Sequence, residues 1–328
     1  MISLYGGATC GEREYCMRDR DAFRPAKDTG AFDNPLRRYA NWGWHDVQVP
    51  YCSLDFWTGR RTQATDETFG LYFSGQHIVE GVLSALDRFY GLGDATEIVF
   101  MGESGGSVGV FHYLDAMAKR YPNARVSGVM LSGFYFYGYP YTGPGSTGTS
   151  PHGDLNREAL PALYNLWDSG VDASCAAAMG SQEAWRCLLP NNSYPYVITP
   201  KFIAQAQSDS ALITQHSWMP GNEMHRSDGT LIKQSELSQP MRTYLQDWSQ
   251  NMSIALEAPM ASALDGVWSP ACYEHRAFER TSVGGMSCVQ AFISWYHGHR
   301  VKKQDACGVM CNPTCNLKCE IDSHLKCL

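Results

Sequence analysis

Ser104 stands in Gly102-Glu103-Ser104-Gly105-Gly106, a Gly-x-Ser-x-Gly pattern whose chemical use is nucleophilic attack on a carbonyl. A serine hydroxyl is a weak nucleophile until a general base takes its proton, and the base must be oriented by a carboxylate. Where a strand–turn–helix carries the serine, the acid and then the histidine follow it in the chain. Asp209 lies just past the run Phe202–Gln205, at a strand end, and His275 lies in the loop Trp268–His275 that holds Cys272. His112, His152, His216 and His225 compete as bases, and Asp154, Asp168 and Asp172 as acids; pattern alone leaves that choice open. The tetrahedral intermediate also needs N–H donors, usually from a Gly-rich turn after an earlier strand. Leu4-Tyr5-Gly6-Gly7-Ala8 has that form, which makes Gly7, Ala8 and Gly105 the candidate oxyanion donors.

These residues need elements to place them. Ile98 to Met101 form an apolar, β-prone run into the serine, and Val108, Phe111, Leu114, Met117 and Ala118 recur beyond it at helical spacing. A strand is expected at the N-terminus, a second at His45–Val49 ending at Pro50, a third at Val126–Leu131, and a late one at Phe202–Gln205. Helices are expected over Gln76–Tyr90, with Ile78, Val79, Val82, Leu83, Leu86, Phe89 and Tyr90 on one face, and over Leu237–Leu256. Strands alternating with helices, without an internal repeat, predict one α/β domain with a mostly parallel sheet. The aromatic patch Phe134-Tyr135-Phe136-Tyr137 reads equally well as core and as a wall of the substrate site.

At 328 residues and 44% hydrophobic content the chain can bury a large core. A net charge of −7 gives no reason to expect nucleic acid or an anionic membrane surface. No apolar run approaches the ~20 residues of a membrane span. Twelve cysteines, grouped as Cys10/Cys16, Cys175/Cys187 and a set from Cys307 to Cys327, read as disulfides of an oxidising compartment. The tail set lacks Cys-x-x-Cys, so disulfides are expected there rather than zinc. Sequons at Asn191 and Asn251 are compatible with secretion. No signal peptide opens the chain, and Met1–Gly7 looks like a strand end; Met1 is therefore expected to be an internal methionine of a longer chain.

The motifs together resemble the Notum / pectin acetylesterase carboxylesterases. Gly6-Gly7-Ala8-Thr9-Cys10 with Cys16 is similar to the family's Gly-Gly-Trp-x-Cys loop and its short disulfide. Asn41-Trp42-Gly43-Trp44 and Pro50-Tyr51-Cys52-Ser53-Leu54-Asp55-Phe56-Trp57-Thr58-Gly59 resemble its Pro-Tyr-Cys-Ser-x-Asp-x-Trp-x-Gly segment. Glu183–Cys187 and Thr199–Ile203 resemble the segment leading to the acid, Ser269–His275 the one that supplies the histidine, and Cys311–Cys315 the animal-type C-terminus. The resemblance implies an α/β-hydrolase fold, disulfide-rich, with a mostly parallel sheet flanked by helices. It implies a catalytic domain over residues 1–300, and a Cys-rich tail over 301–328 packed on it. It implies Ser104 as nucleophile, His275 as base and Asp209 as orienting acid, with Gly7, Ala8 and Gly105 as oxyanion donors and no metal or organic cofactor. The expected activity is that of a secreted serine carboxylesterase acting on O-acyl esters of a polysaccharide or a protein. Palmitoleoyl-protein deacylation and a catalytically silent extracellular binding module are the alternatives. Four aromatic positions of the Notum-type lipid pocket are changed, to Ala8, Leu188, Leu189 and Ser208, which puts a lipid-sized slot in question. Arg276, where plant-type members have cysteine, leans toward the Notum branch. Phe134, Tyr135, Leu188 and Leu189 are the expected pocket residues.

Overall fold

The computed structural model describes residues 1–18, 36, 43–150, 152–224 and 231–315. Asn41, Trp42, His225 and the tail from 316 to 328 lie outside the described residues. Seven strands form one sheet in the order β2-β1-β3-β4-β5-β6-β9. They are β1 Ile2–Leu4, β2 Val47–Val49, β3 Glu97–Glu103, β4 Arg125–Leu131, β5 Lys201–Ala204, β6 Gly266–Ser269 and β9 Lys302–Gln304. Every pairing in this sheet is parallel. A short antiparallel hairpin, β7 Ser282–Val283 with β8 Met286–Ser287, lies outside it.

A parallel sheet covered on both faces needs strands that are apolar on both faces. The period-two alternation does this here. Ile98 and Phe100 of β3, Met130 of β4 and Ile203 of β5 enter one core. Val99 and Met101, Val129 and Leu131, and Phe202 and Ala204 enter a second core on the opposite face. On the first face pack the helix Gly75–Tyr90 and the helix Gly105–Arg120 that follows β3. The former ends on Gly91 in the left-handed region at φ 68°. Its buried stripe is Val79 and Leu83, with Ile78, Val82 and Leu86 half-buried, but Phe89 and Tyr90 are exposed. The stripe therefore stops a turn before the helix does. The helix after β3 is buried at every position from Gly105 to Leu114, as a central helix must be rather than an amphipathic surface one.

The strands expected from the sequence at the N-terminus, near residue 47, before Ser104, after Val126 and after Lys201 are all present. β6, β9 and the helix Cys288–Tyr296 were not anticipated. β9 is Lys-Lys-Gln and β6 has only Val267 and Trp268 as apolar residues, so neither offers an apolar run that would mark a strand. Four disulfides are formed among the described residues: Cys10–Cys16, Cys175–Cys187, Cys272–Cys315 and Cys307–Cys311. Cys52 and Cys288 are free thiols. No helix among the described residues is long and apolar enough to cross a membrane.

Candidate active site

Each functional segment leaves the C-terminal end of a strand, the edge where open parallel sheets place ligands. Gly6 and Gly7 follow β1, Ser104 follows β3, Ser132 follows β4, Asp209 follows β5 and His275 follows β6. Ser104 itself has φ 53° and ψ −125°, a conformation unfavourable for any residue with a side chain. It holds because its neighbours are glycines in close quarters. A Cβ on Gly106 would run into the Leu4 carbonyl, and one on Gly102 into the Gly106 carbonyl. A Cβ on Gly6 would come within 2.7 Å of the Ser104 Cβ, so the Gly6–Ala8 loop lies directly against the elbow. Ser107 completes the turn: its hydroxyl donates to the Gly102 carbonyl at 2.7 Å and accepts from the Leu131 N–H at 2.9 Å.

Asp209 is fully buried and has two duties. It caps the helix Ser210–Gln215, accepting from Ala211 N–H at 3.0 Å and Leu212 N–H at 3.3 Å. It also meets His275, whose Nδ1 lies 2.8 Å and 3.0 Å from its two carboxylate oxygens. A carboxylate only accepts, so Nδ1 carries the proton and Nε2 is the ring's basic nitrogen. The Gln205 amide donates a further bond to Asp209 at 2.9 Å. Burial depresses the His275 pKa, but the charge of Asp209 and its hydrogen bond outweigh this, and the net shift is upward. Ser132 fixes the other end of the residue by donating its hydroxyl to the His275 carbonyl.

Ser104 and His275 line one cavity of about 310 Å³ with Tyr5, Gly6, Gly7, Ala8, Glu103 and Tyr135. Gln215, His216 and Arg276 complete much of its polar wall. The hydroxyl of Ser104 is 3.0 Å from the Tyr135 hydroxyl. Tyr135 titrates far above its ordinary range because it is buried, so its phenol stays protonated. Behind the Gly7 loop, Asp55 ties down the Tyr51–Gly59 segment. It accepts from the Ser53 hydroxyl at 2.6 Å and from the N–H groups of Trp57, Gly59 and Gly75 at 3.0, 3.2 and 2.8 Å. The motif around Asp55 is thus a scaffold for the glycine loop; a Cβ on Gly7 would meet the Tyr51 ring at 2.6 Å.

Of the expected pocket residues, Tyr135 lines the cavity, while Phe134, Leu188 and Leu189 are in the core. Phe134 stacks between Phe111 and Tyr194 at 5.8 and 5.9 Å. The chain leaves the strand at Ser132 (φ 54°), and Phe134, its N–H donating to the Gln205 side chain at 2.9 Å, turns its ring into the core while the Tyr135 hydroxyl reaches Ser104. The competing bases and acids among the described residues lie in other surroundings. His216 Nδ1 contacts the Gly153 carbonyl at 2.7 Å, and burial lowers its pKa to about 4. His112 is buried in the helix after the elbow, also with a pKa of about 4. The ring of His152 lies 6.2 Å from that of His216. Asp154 accepts from the Trp218 indole at 2.8 Å, Asp168 pairs with Arg60 at 2.9 Å, and Asp172 caps the helix Ala173–Met179.

The pair flanking the candidate nucleophile and base was not among the expected site residues. Glu103 precedes Ser104, Arg276 follows His275, and their charged groups meet at 3.1 Å. Burial raises the Glu103 pKa to about 7, against the pull of Arg276 and His275. A charge at the variable position of Gly-x-Ser-x-Gly was the available signal.

Comparison with known proteins accords with this architecture. The palmitoleoyl-protein carboxylesterase NOTUM of Homo sapiens is 25% identical over 351 residues, covering 96% of this chain. That of Drosophila melanogaster is 26% identical over 331 residues, covering 93%. The chain spans 66% of the human relative's length and 45% of the Drosophila one's. The solved structure described as the Wnt deacylase Notum from Drosophila shares the fold, with a TM-score of 0.75 at 23% identity, over 96% of this chain and 89% of that one. A model of the pectinacetylesterase family matches residues 1–316, and the chain belongs to that family.

Proposed function

We propose that this protein is a serine carboxylesterase that hydrolyses short O-acyl esters borne on a macromolecule, in an oxidising extracellular compartment. The observation that carries the reading is the His275–Asp209 pair at 2.8 and 3.0 Å, opening on the same cavity as a serine held at φ 53°. Ser104 turns about its Cα–Cβ bond from Tyr135 toward His275 Nε2, which takes its proton as Oγ bonds to the ester carbonyl carbon. The carbonyl π-electrons move to oxygen, where the N–H groups of Gly7 or Ala8 and of Gly105, at the start of a helix, stabilise the charge. The carbonyl re-forms, the C–O bond to the alcohol breaks, and His275 gives the proton to the leaving alkoxide. Water then repeats the sequence on the acyl-enzyme, releasing the carboxylic acid and Ser104.

A short acyl group fits the cavity's composition. Its walls near Ser104 are glycine, Ala8 and polar side chains, while Phe134, Leu188 and Leu189 are committed to the core. The names of the relatives favour a second reading, palmitoleoyl-protein deacylation. Hydrolysis of p-nitrophenyl esters from acetate to palmitate separates the two. The proposal predicts a maximum at acetate to butyrate and complete loss of turnover in Ser104→Ala. A maximum at long chains would establish the lipid reading, and an inert folded wild type would leave a binding module.

A further inference from the structure

We propose that the groove between Tyr139-Pro140 and the helix Gln239–Ala255 is a saccharide-binding site for neutral pyranose units, separate from the Ser104 cavity. The groove has a volume of about 400 Å³ and is lined on the helix side by Tyr244, Asp247, Trp248 and Asn251, with Gln250 beside them. These four lie at i, i+3, i+4 and i+7, so one helix face sets the half-buried ring of Tyr244 beside a carboxylate and a carboxamide, with Trp248, 4% exposed, as the floor beneath them. The rings are held. Trp248 rests on Phe136 at 5.0 Å and on Tyr244 at 5.9 Å, and Tyr244 meets Tyr141 at 5.3 Å. The Tyr244 hydroxyl donates to the Tyr139 carbonyl at 2.7 Å, joining the two walls. Tyr139 itself is 69% exposed, an aromatic ring left in solvent at the lip of a cleft.

That chemistry selects the ligand. A pyranose offers apolar C–H faces bounded by hydroxyls, and the groove offers the exposed ring of Tyr139 and the half-buried ring of Tyr244 beside Asp247, Gln250 and Asn251, which between them donate and accept. An acyl chain would leave those three groups without use. A polyanion would meet the Asp247 carboxylate on a chain of net charge −7. A neutral sugar satisfies both sets of groups.

The groove is also close to the cavity while sharing no lining residue with it. Tyr135, which touches Ser104, and Tyr139 are four residues apart on one segment, a separation of at most about 14 Å. Ser217, next to the cavity residue His216, accepts from the Tyr141 N–H at 2.8 Å, so a second segment connects the two sites. A polymer seated in the groove would reach the cavity within a few units. The binding claim does not depend on the esterase reading; it extends it.

The sequon Asn251-Met252-Ser253 lies in the groove, so an attached glycan is the rival occupant. The test is calorimetric titration of the full chain with xylohexaose, cellohexaose and hexagalacturonate. It is run in wild type, Ser253→Ala (which removes the sequon and keeps Asn251), Ser104→Ala, Tyr139→Ala and Asn251→Ala. We expect at least one neutral hexamer to bind wild type, Ser253→Ala and Ser104→Ala alike. The affinity should fall about tenfold or more in Tyr139→Ala and in Asn251→Ala. Hydrolysis of p-nitrophenyl acetate should be unchanged in Tyr139→Ala, which separates the failure of this site from failure of the esterase reading. Binding of neither neutral hexamer to Ser253→Ala, binding unaffected by both groove variants, or tighter binding of hexagalacturonate would each overturn the proposal.

Discussion

Asp209 joins two kinds of chemistry in one side chain, and substitutions separate them. Asp209→Asn retains an oxygen for the Ala211 and Leu212 N–H groups but withdraws the charge from His275. We predict a loss in kcat on the order of 10³–10⁴-fold with little change in Tm. Asp209→Ala should lose the same activity and a further ~1 kcal/mol of stability with the cap, readable by urea denaturation. The pH profile follows from the same pair. His275 must be neutral to act as base, and Asp209 shifts its pKa upward. The acidic limb of kcat/KM should therefore have its midpoint above the ordinary histidine value of 6.5, and move down in Asp209→Asn. Glu103 has the opposite consequence for folding. Its carboxyl titrates near about 7 when folded against an ordinary 4.5. Between those values the folded state holds a proton that the unfolded chain has released, so stability falls as pH rises through this window. Glu103→Gln should flatten that slope in denaturation midpoints measured from pH 4.5 to 7. A slope unchanged by the substitution would show that other groups set it. At this scale Ser104 was singled out in the sequence by its glycine neighbours together with the apolar run before it and the helical spacing after it. His275 and Asp209 had several rivals, because nothing in a sequence says that His112 is buried or that Asp172 is occupied as a cap.

The elbow is the element on which the arrangement depends, and its glycines act by close approach. Gly106 lies where the helix Gly105–Arg120 presses on β1, and a Cβ there meets the Leu4 backbone carbonyl, which cannot move without breaking β1 from β3. Gly106→Ala should lower stability by about 1–3 kcal/mol and reduce activity, because Gly6 and Gly7 follow directly on β1. Wild-type stability and activity in this variant would contradict the packing described. The strands that carry residues into the site were visible in the sequence where three or more apolar residues ran toward the turn, as at Ile98–Met101, Val129–Leu131 and Phe202–Ala204. β6 was not, although it delivers the histidine. Gly266 to Ser269 has only Val267 and Trp268 as apolar residues, and it is defined by pairing between β5 and β9 rather than by its own pattern.

Across the whole molecule, the chain from β6 onward is bound to the site by covalent links. Cys272, three residues before His275, pairs with Cys315 across a separation of 43 residues, and Asn312 adds bonds to Asp305 and to the Ser282 carbonyl. Closing a loop of that length limits the unfolded chain by about 4 kcal/mol on a chain-entropy estimate. Cys315→Ser should lower stability by an amount of this order and impair activity more than loss of the exposed Cys307–Cys311 link does. The sequence grouped the tail cysteines but could not pair Cys272 with Cys315, since connectivity depends on the meeting of distant segments. The most direct test of the account is reaction with a fluorophosphonate, which phosphonylates only an activated serine, followed by peptide mass mapping. The account predicts stoichiometric labelling of the wild type at Ser104, none in Ser104→Ala, and labelling slowed by orders of magnitude in His275→Ala. Folded wild-type protein that stays unlabelled, or that carries the label on another residue, would contradict it.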